Sequence, residues 1–298
     1  MSLPSSPVEP SGPKPATIKP SRIMIYAVLI VAALYYLLPL YVMVMTSLKG
    51  LPEIRMGTIF SPPVEITFEA WAKAWDTACT GLECQGLKVG FFNSMQILIP
   101  SVLVSITIAV INGYALSFWR FRGSEVFFTI LIFGSFIPYQ VMLYPLVILT
   151  REMGIYGSLW AVILIHTFFG MPILTLMFRN YFASLPRELF SAARVDGAGF
   201  WQILIRIMLP MSVPIMVVAV IIQVTGIWND FLLGVVFAGQ RNWPMTVQLN
   251  NIVNATQGVK EYNVNMAATI LTGLVPLVIY FLSGKYFVRG IAAGAVKG

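Results

Sequence analysis

Residues Leu185–Pro210 read LPRELFSAARVDGAGFWQILIRIMLP and lie between two apolar runs, 158–178 and 211–237. Each run is long enough to cross a bilayer core, which takes roughly 20 residues as a helix. A polar loop between two spans makes this a membrane fold. Within the loop, Pro186 fits a first helical turn, Ser184 is placed to cap it, and Glu188 complements the positive N-terminal end. Gly197 is the natural breaker. Beyond it Phe200, Ile203, Leu204 and Ile207 recur at helical spacing while Gln202 and Arg206 face elsewhere, which predicts a second, amphipathic helix ended by Pro210. Ser191, Ala192, Ala193, Gly197, Ala198 and Gly199 gather at the elbow, where small side chains let another surface approach the backbone closely. The loop has a docking shape and carries no catalytic grouping. An amphipathic connector lying in the headgroup layer shares part of this pattern.

Composition agrees. With 58% hydrophobic and 10% charged residues there are too few polar groups to cover a soluble globule, and the mean hydropathy of +0.81 points the same way. A formal net charge of +7 raises the question of nucleic acid. The Lys and Arg residues, however, sit in loops between apolar runs, without a basic patch interleaved with aromatics. Two Cys exclude a metal framework of four thiolates.

Residues 1–22 are rich in proline and serine and read as a flexible tail. Six spans are expected at about 23–47, 91–118, 126–149, 158–178, 211–237 and 264–287, the first of them an uncleaved anchor, with a terminal tail at 288–298. Each contains proline: Pro39, Pro100, Pro138 with Pro145, Pro172, Pro214 and Pro276. Kinks of this kind suit a moving pathway and are also common in membrane helices. Ser101, Ser105, Ala109 and Gly113 recur at four-residue spacing, which predicts a close helix contact along the second span. The polar segment 49–90 holds Trp71 and Trp75, expected at the interface or on a short surface helix, and Cys79 and Cys84, for which a disulfide and two free thiols both remain open. Of the 19 Lys and Arg residues, twelve fall in the tail, in 119–125, in 179–210 and at or after the end of the last span (Lys285, Arg289 and Lys297), against seven in the alternate segments. By the positive-inside rule both termini and the loop 179–210 are then cytoplasmic.

Few ionisable groups lie at membrane depth: Asp230 in the run Trp228-Asn229-Asp230-Phe231, and His166 in the fourth span. A carboxylate at the bilayer centre costs roughly 2.5 to 3.5 kcal/mol on insertion scales, so Asp230 is expected to face protein or a water-filled cavity. His166 reads as a helix–helix hydrogen-bond partner. Asn93, Gln140, Trp228, Asn229 and Asp230 are the candidate pathway residues, within a wider set that includes Gln96, Tyr139 and Gln223; each also fits a packing role.

The loop resembles the signature of ABC importer permeases: EAA, three residues, Gly, nine residues, then Ile-x-Leu-Pro. Ala192, Ala193, Gly197, Ile207, Leu209 and Pro210 fall on that spacing, while Ser191 stands where the family has Glu, with Glu188 one helical turn earlier. Phe92-Asn93-Ser94, Gly113-Tyr114-Ala115, Ile137-Pro138, Trp228-Asn229 and the terminal Gly294-Ala295-Val296-Lys297-Gly298 resemble the maltose-type carbohydrate permeases, and the outer segments look most like glucose/mannose-type importers. The resemblance implies an all-α type I importer permease fold in a bacterial inner membrane. It also implies a second permease, two cytoplasmic ATPase subunits carrying ATP and magnesium, and a periplasmic or extracellular sugar-binding protein. Glu188, Ser191, Ala192, Ala193, Asp196 and Gly197 would then meet the ATPase, as would the tail with Gly294, Lys297 and Gly298, and the loop 239–262 would reach the binding protein. This chain would bring no cofactor, metal or catalytic residue. It lacks a phosphate-binding loop, since Ser283-Gly284-Lys285-Tyr286 has neither the first Gly nor the magnesium-binding hydroxyl. A secondary transporter generally wants more than one placed intramembrane carboxylate, and a membrane enzyme wants clustered reactive groups. Neither pattern is present in the sequence.

Overall fold

The structure is a computed structural model that describes residues 20–80, 83–119, 121–255 and 259–295. Regular structure among these residues is helical. In chain order the helices are α1 (Pro20–Ser47), α2 (Leu51–Met56), α3 (Glu69–Asp76), α4 (Lys88–Phe118), α5 (Ser124–Ser135), α6 (Tyr139–Glu152) and α7 (Leu159–Ser184). Then come α8 (Arg187–Val195), α9 (Phe200–Ile203), a π segment (Leu204–Met208), α10 (Leu209–Met211), α11 (Val213–Trp228), α12 (Leu232–Phe237), α13 (Met245–Val253) and α14 (Tyr262–Ala295).

The core is the contact between α4 and α7. Ser101, Ser105 and Ala109 are fully buried, and a β-carbon on Gly113 would stand 2.7 Å from Phe178 Cβ and 2.8 Å from the Arg179 backbone nitrogen. Lipid tails are as apolar as leucine, so helices hold together in a bilayer through close packing and interhelical hydrogen bonds. Both occur here. Ser117 Oγ donates to the Arg179 carbonyl at 3.0 Å, and Gln223 Nε2 of α11 donates to Ser105 Oγ at 3.0 Å. Gly170 leaves room for that amide, since a β-carbon there would lie 2.1 Å from Gln223 Nε2. The small-residue stripe expected from sequence is thus where three helices meet.

Around this core α14 packs on α11, α1 and α3, and α1 turns its apolar side chains outward along nearly its whole length. Among the described residues α1, α4, α7 and α14 are long and apolar enough to cross a membrane, and the number is six where each of two bent pairs is counted as one span. The region expected as a single span at 126–149 is α5 and α6 meeting at 103°. Pro138 explains the break: it offers no N–H and drives Ile137 out of helical conformation. The region 211–237 bends by 79° at Ser212 and breaks again at residues 229–231, between α11 and α12, with Pro214 in the first turn of α11. Pro39, Pro100, Pro145, Pro172 and Pro276 lie inside continuous helices.

On the polar side of 49–90, α3 is a short surface helix burying Ala70 and Ala74, and Lys73 pairs with Glu261 at 2.6 Å. Cys79 and Cys84 form a disulfide. Arg179 pairs with Glu125 at 3.0 Å, tying the start of α5 to the end of α7.

Gly113→Leu is expected to lower the melting temperature of the purified protein in detergent. Overpacking of this kind costs about 1–3 kcal/mol, more than the roughly 0.5–1 kcal/mol gained by replacing a helical glycine. Gly134→Ala, where the added carbon meets nothing within 4 Å, is expected to leave it unchanged or slightly raised. Equal melting of the Gly113→Leu variant and the wild type would remove the α4–α7 approach from the account of stability.

Candidate functional site

The loop 185–210 folds as two short helices around Gly197. The backbone of Gly197 is left-handed, at φ +78°, a conformation that costs other L-residues about 1–2 kcal/mol. Ala198 N–H donates to the Ala193 carbonyl at 2.9 Å, and Gly197 N–H to the Arg194 carbonyl at 3.1 Å. This is a Schellman end, and it satisfies carbonyls that α8 would otherwise leave open. Two local expectations change. Ser184 Oγ donates to the Tyr181 carbonyl and does not cap α8; Pro186 takes the N-cap position instead. Nor does the second helix end at Pro210. It continues to Met211 by widening into the π segment, where Leu209 N–H reaches back five residues to the Leu204 carbonyl. Pro210 has no N–H for the Arg206 carbonyl and its ring would crowd that oxygen, so a wider turn lets the helix pass.

The inward face of the loop is aromatic. Phe190 stacks on Phe118 with ring centroids 4.7 Å apart, and Phe200 meets Tyr114 at 4.8 Å and Trp119 at 5.4 Å. The Arg194 guanidinium lies 4.4 Å from the centre of the Trp119 ring. Both helices of the loop are therefore fastened to the end of α4. Ala193 is buried in the same cluster, while Glu188, Ser191, Ala192, Asp196 and Gly197 face outward. The sequence reading had no role for Phe190 or Arg194. Their signal was helical spacing, since Phe190 and Arg194 are four residues apart and share a face of α8.

Beside α7 a cleft of about 660 Å³ opens at the break between α11 and α12. Its lining includes Ser135, Tyr139, His166, Phe169, Asn229 and Asp230. Asp230 accepts the backbone N–H of Leu233 at 3.3 Å and of Gly234 at 3.0 Å, so its carboxylate holds the start of α12, and its own carbonyl accepts Thr246 Oγ1 at 2.6 Å. Backbone groups freed inside a membrane protein need such partners. Two candidate pathway residues, Asn229 and Asp230, meet in the cleft. Three do not. Asn93 Nδ2 donates to the carbonyls of Arg241 and Trp243 at 3.2 and 3.1 Å; Trp228 Nε1 donates to the Thr272 carbonyl at 2.8 Å; and Gln140 is exposed on α6 outside the lining. Gln223, from the wider set, is committed to Ser105. Phe169 was missed from sequence because a lone aromatic in an apolar span carries no mark of facing a cleft. Among the tail residues, Gly294 lies in the last turns of α14, and Lys297 and Gly298 lie outside the described residues.

A helical membrane protein with broken spans, a polar cleft at the break and an exposed two-helix loop fastened to a core helix has the form of a transport permease. The chain belongs to the family of binding-protein-dependent transport system inner membrane components, which it matches over residues 93–293. It is 36% identical to a probable ABC transporter permease protein of Pyrococcus horikoshii, with 94% of this chain and 99% of that one covered. It is 35% identical to the alpha-glucoside transport system permease protein of Rhizobium meliloti (73% and 58% covered) and 28% identical to the glucose import system permease protein of Saccharolobus solfataricus (92% and 95%). Its fold is that of a chain in the crystal structure of a bacterial ABC transporter involved in the import of the acidic polysaccharide alginate. The TM-score is 0.77 at 23% identity, covering 93% of this chain and all of that one. This is therefore the non-catalytic, multi-pass inner-membrane permease subunit of an importer whose ATPase is a separate subunit.

Phe190→Ala is expected to loosen the loop from α4, since an aromatic pair is worth about 0.5–1.5 kcal/mol beyond the area it buries. Tryptic cleavage at the exposed Arg187 and Arg194 should then rise several-fold, with little change in the melting of the helix core. Unchanged cleavage would mean that Phe190 does not fasten the loop.

Proposed function

We propose that this chain forms half of the translocation pathway of a sugar importer and receives the movement of the ATPase through Leu185–Pro210. One observation carries the reading: the loop has a small, exposed outer face around Gly197 and an aromatic inner face fastened to α4. Force applied to the outer face is delivered to the helix that forms the core with α7. Glu188, Ser191, Ala192, Asp196 and Gly197 are the docking residues, with Ala193 holding the elbow from beneath. Glu188 supplies the carboxylate that the family pattern has at the position of Ser191. The excess of Lys and Arg places both termini on the cytoplasmic side, so the tail with Gly294, Lys297 and Gly298 approaches the ATPase, which binds ATP and magnesium. The segment 239–262, with α13, receives the sugar-binding protein on the opposite side. A second permease completes the pathway.

The substrate is a sugar of the glucose or mannose kind or a relative of it. Support comes from the outer segments of the sequence and from the alpha-glucoside and glucose permeases among the relatives. Asn229 and Asp230 are this chain's contribution to the route, with Asn93, Gln140 and Trp228 around it. Co-purification from the native membrane is expected to recover a second permease and an ATPase whose rate rises with sugar-loaded binding protein.

Gly197→Asp tests the coupling role. No atom lies within 4 Å of the added β-carbon, and Asp is among the residues that tolerate left-handed backbone, so insertion and yield are expected to hold. Transport and stimulated ATPase are expected to fall by at least about tenfold, since a desolvated, unpaired charge costs more than the 1.4 kcal/mol that a factor of ten represents. Normal transport and normal stimulation in this variant would refute the docking assignment.

A further inference from the structure

His166 and Asp230 stand across a gap in the cleft, and the pathway reading gives His166 no part in it. His166 lies on α7 one turn before Phe169, and Asp230 lies in the break after α11. His166 Nε2 and Asp230 Oδ2 are 3.7 Å apart, near enough to share a ligand and too far for a direct hydrogen bond. The carboxylate is held by the N–H groups of Leu233 and Gly234, one on each oxygen, which fixes its direction and leaves each oxygen further capacity to accept. An oxygen about 2.8 Å from both atoms fits between them. It must donate to the carboxylate and accept from the imidazole N–H. A hydroxyl does both, whereas an ammonium can only donate and a carboxylate can only accept.

The surroundings narrow the class further. Tyr139 and Phe169 place ring centroids 6.3 Å apart at 68° on the cleft wall, and Asn229 adds an amide. Aromatic faces joined to amide, hydroxyl and carboxylate groups suit a ring bearing several hydroxyls. No Lys or Arg is among the lining residues, so a sugar acid would bring its carboxylate toward Asp230 without a compensating cation. Behind the pair lies a void of about 10 Å³, no larger than about one water, so His166 and Asp230 close the cleft floor.

We propose that His166 and Asp230 form a hydroxyl-binding pair that holds a neutral pyranose against Phe169 and selects neutral sugars over uronates. The inference rests on reading the cleft as part of a sugar pathway. Asp230 also holds α12, so the informative variants are at His166. His166→Leu removes the donor, and His166→Gln restores one.

The test uses the complex of this chain with its partner permease and ATPase, without binding protein, in equilibrium dialysis against radiolabelled glucose and mannose with glucuronate as competitor. The expected result is sugar binding that glucuronate does not displace. Binding should weaken by about tenfold or more in His166→Leu, as loss of one hydrogen bond in a charged site implies, and stay within about threefold in His166→Gln. Loss of binding in His166→Leu with rescue by His166→Gln, at a melting temperature of the complex unchanged in both, is what a hydrogen-bond donor requires and a merely structural role does not. Wild-type affinity in His166→Leu, displacement by glucuronate, or no sugar bound by a complex that still transports sugar would each overturn the pair and leave the importer reading standing. If loaded binding protein drives neither ATPase nor transport for any sugar, the importer reading falls and the pair with it.

Discussion

The close approach of α4 and α7 is the constraint on which the rest depends. In lipid there is little hydrophobic gain from helix association, so packing and polar contacts must supply the adhesion. Small residues make that possible: Gly113 lets α4 meet the Phe178–Arg179 backbone, and Gly170 with Ser105 makes room for the Gln223 amide. The same two helices then carry both functional regions. Tyr114, Phe118 and Trp119 at the end of α4 hold the docking loop, and His166 and Phe169 on α7 line the cleft. The loop and the cleft are thus joined by one closely packed helix pair.

The breaks in the backbone are placed with equal economy. Each freed N–H or carbonyl inside a bilayer protein costs several kcal/mol unless it finds a partner. Asp230 meets this need at the start of α12, and its presence at membrane depth is thereby explained without any catalytic role. At Pro210 the helix widens by one residue instead of stopping, and the chain turns by 79° only at Ser212, between Met211 and α11. At Pro138 no such accommodation occurs and the chain turns through 103°. Proline alone thus predicts trouble in a helix and does not predict which remedy the surroundings permit.

Much of the fold was legible in the sequence because two of its signals are local. Length and hydropathy mark the spans, and the four-residue spacing of Ser101, Ser105, Ala109 and Gly113 marks a helix contact whatever the partner. Gly197 was legible for the same reason, since a left-handed elbow between two short helices has few other solutions. The cleft was only half legible. Asn229 and Asp230 reach it, while Asn93, Trp228 and Gln223 have the same chemistry and give their hydrogen bonds to carbonyls or a hydroxyl of other elements. Periodicity shows which residues share a face. It does not show what that face meets.

The sequence by itself determined that the chain is a helical membrane protein, that the loop 185–210 turns at Gly197, and that its second span bears a close-packing stripe. These follow from residue type and spacing within one element. Only the tertiary structure decided that Phe190 and Arg194 fasten the loop to α4, that Cys79 and Cys84 are joined, and that His166 stands across from Asp230. The first and last of these relations join residues on different elements, at distances that depend on how helices bend and cross, while the cysteine pair depends on the local course of one loop. The bend at Phe136–Pro138 has a local cause in Pro138, whereas the break at Asn229–Phe231 depends on partners for its freed backbone groups, Thr246 of another element among them.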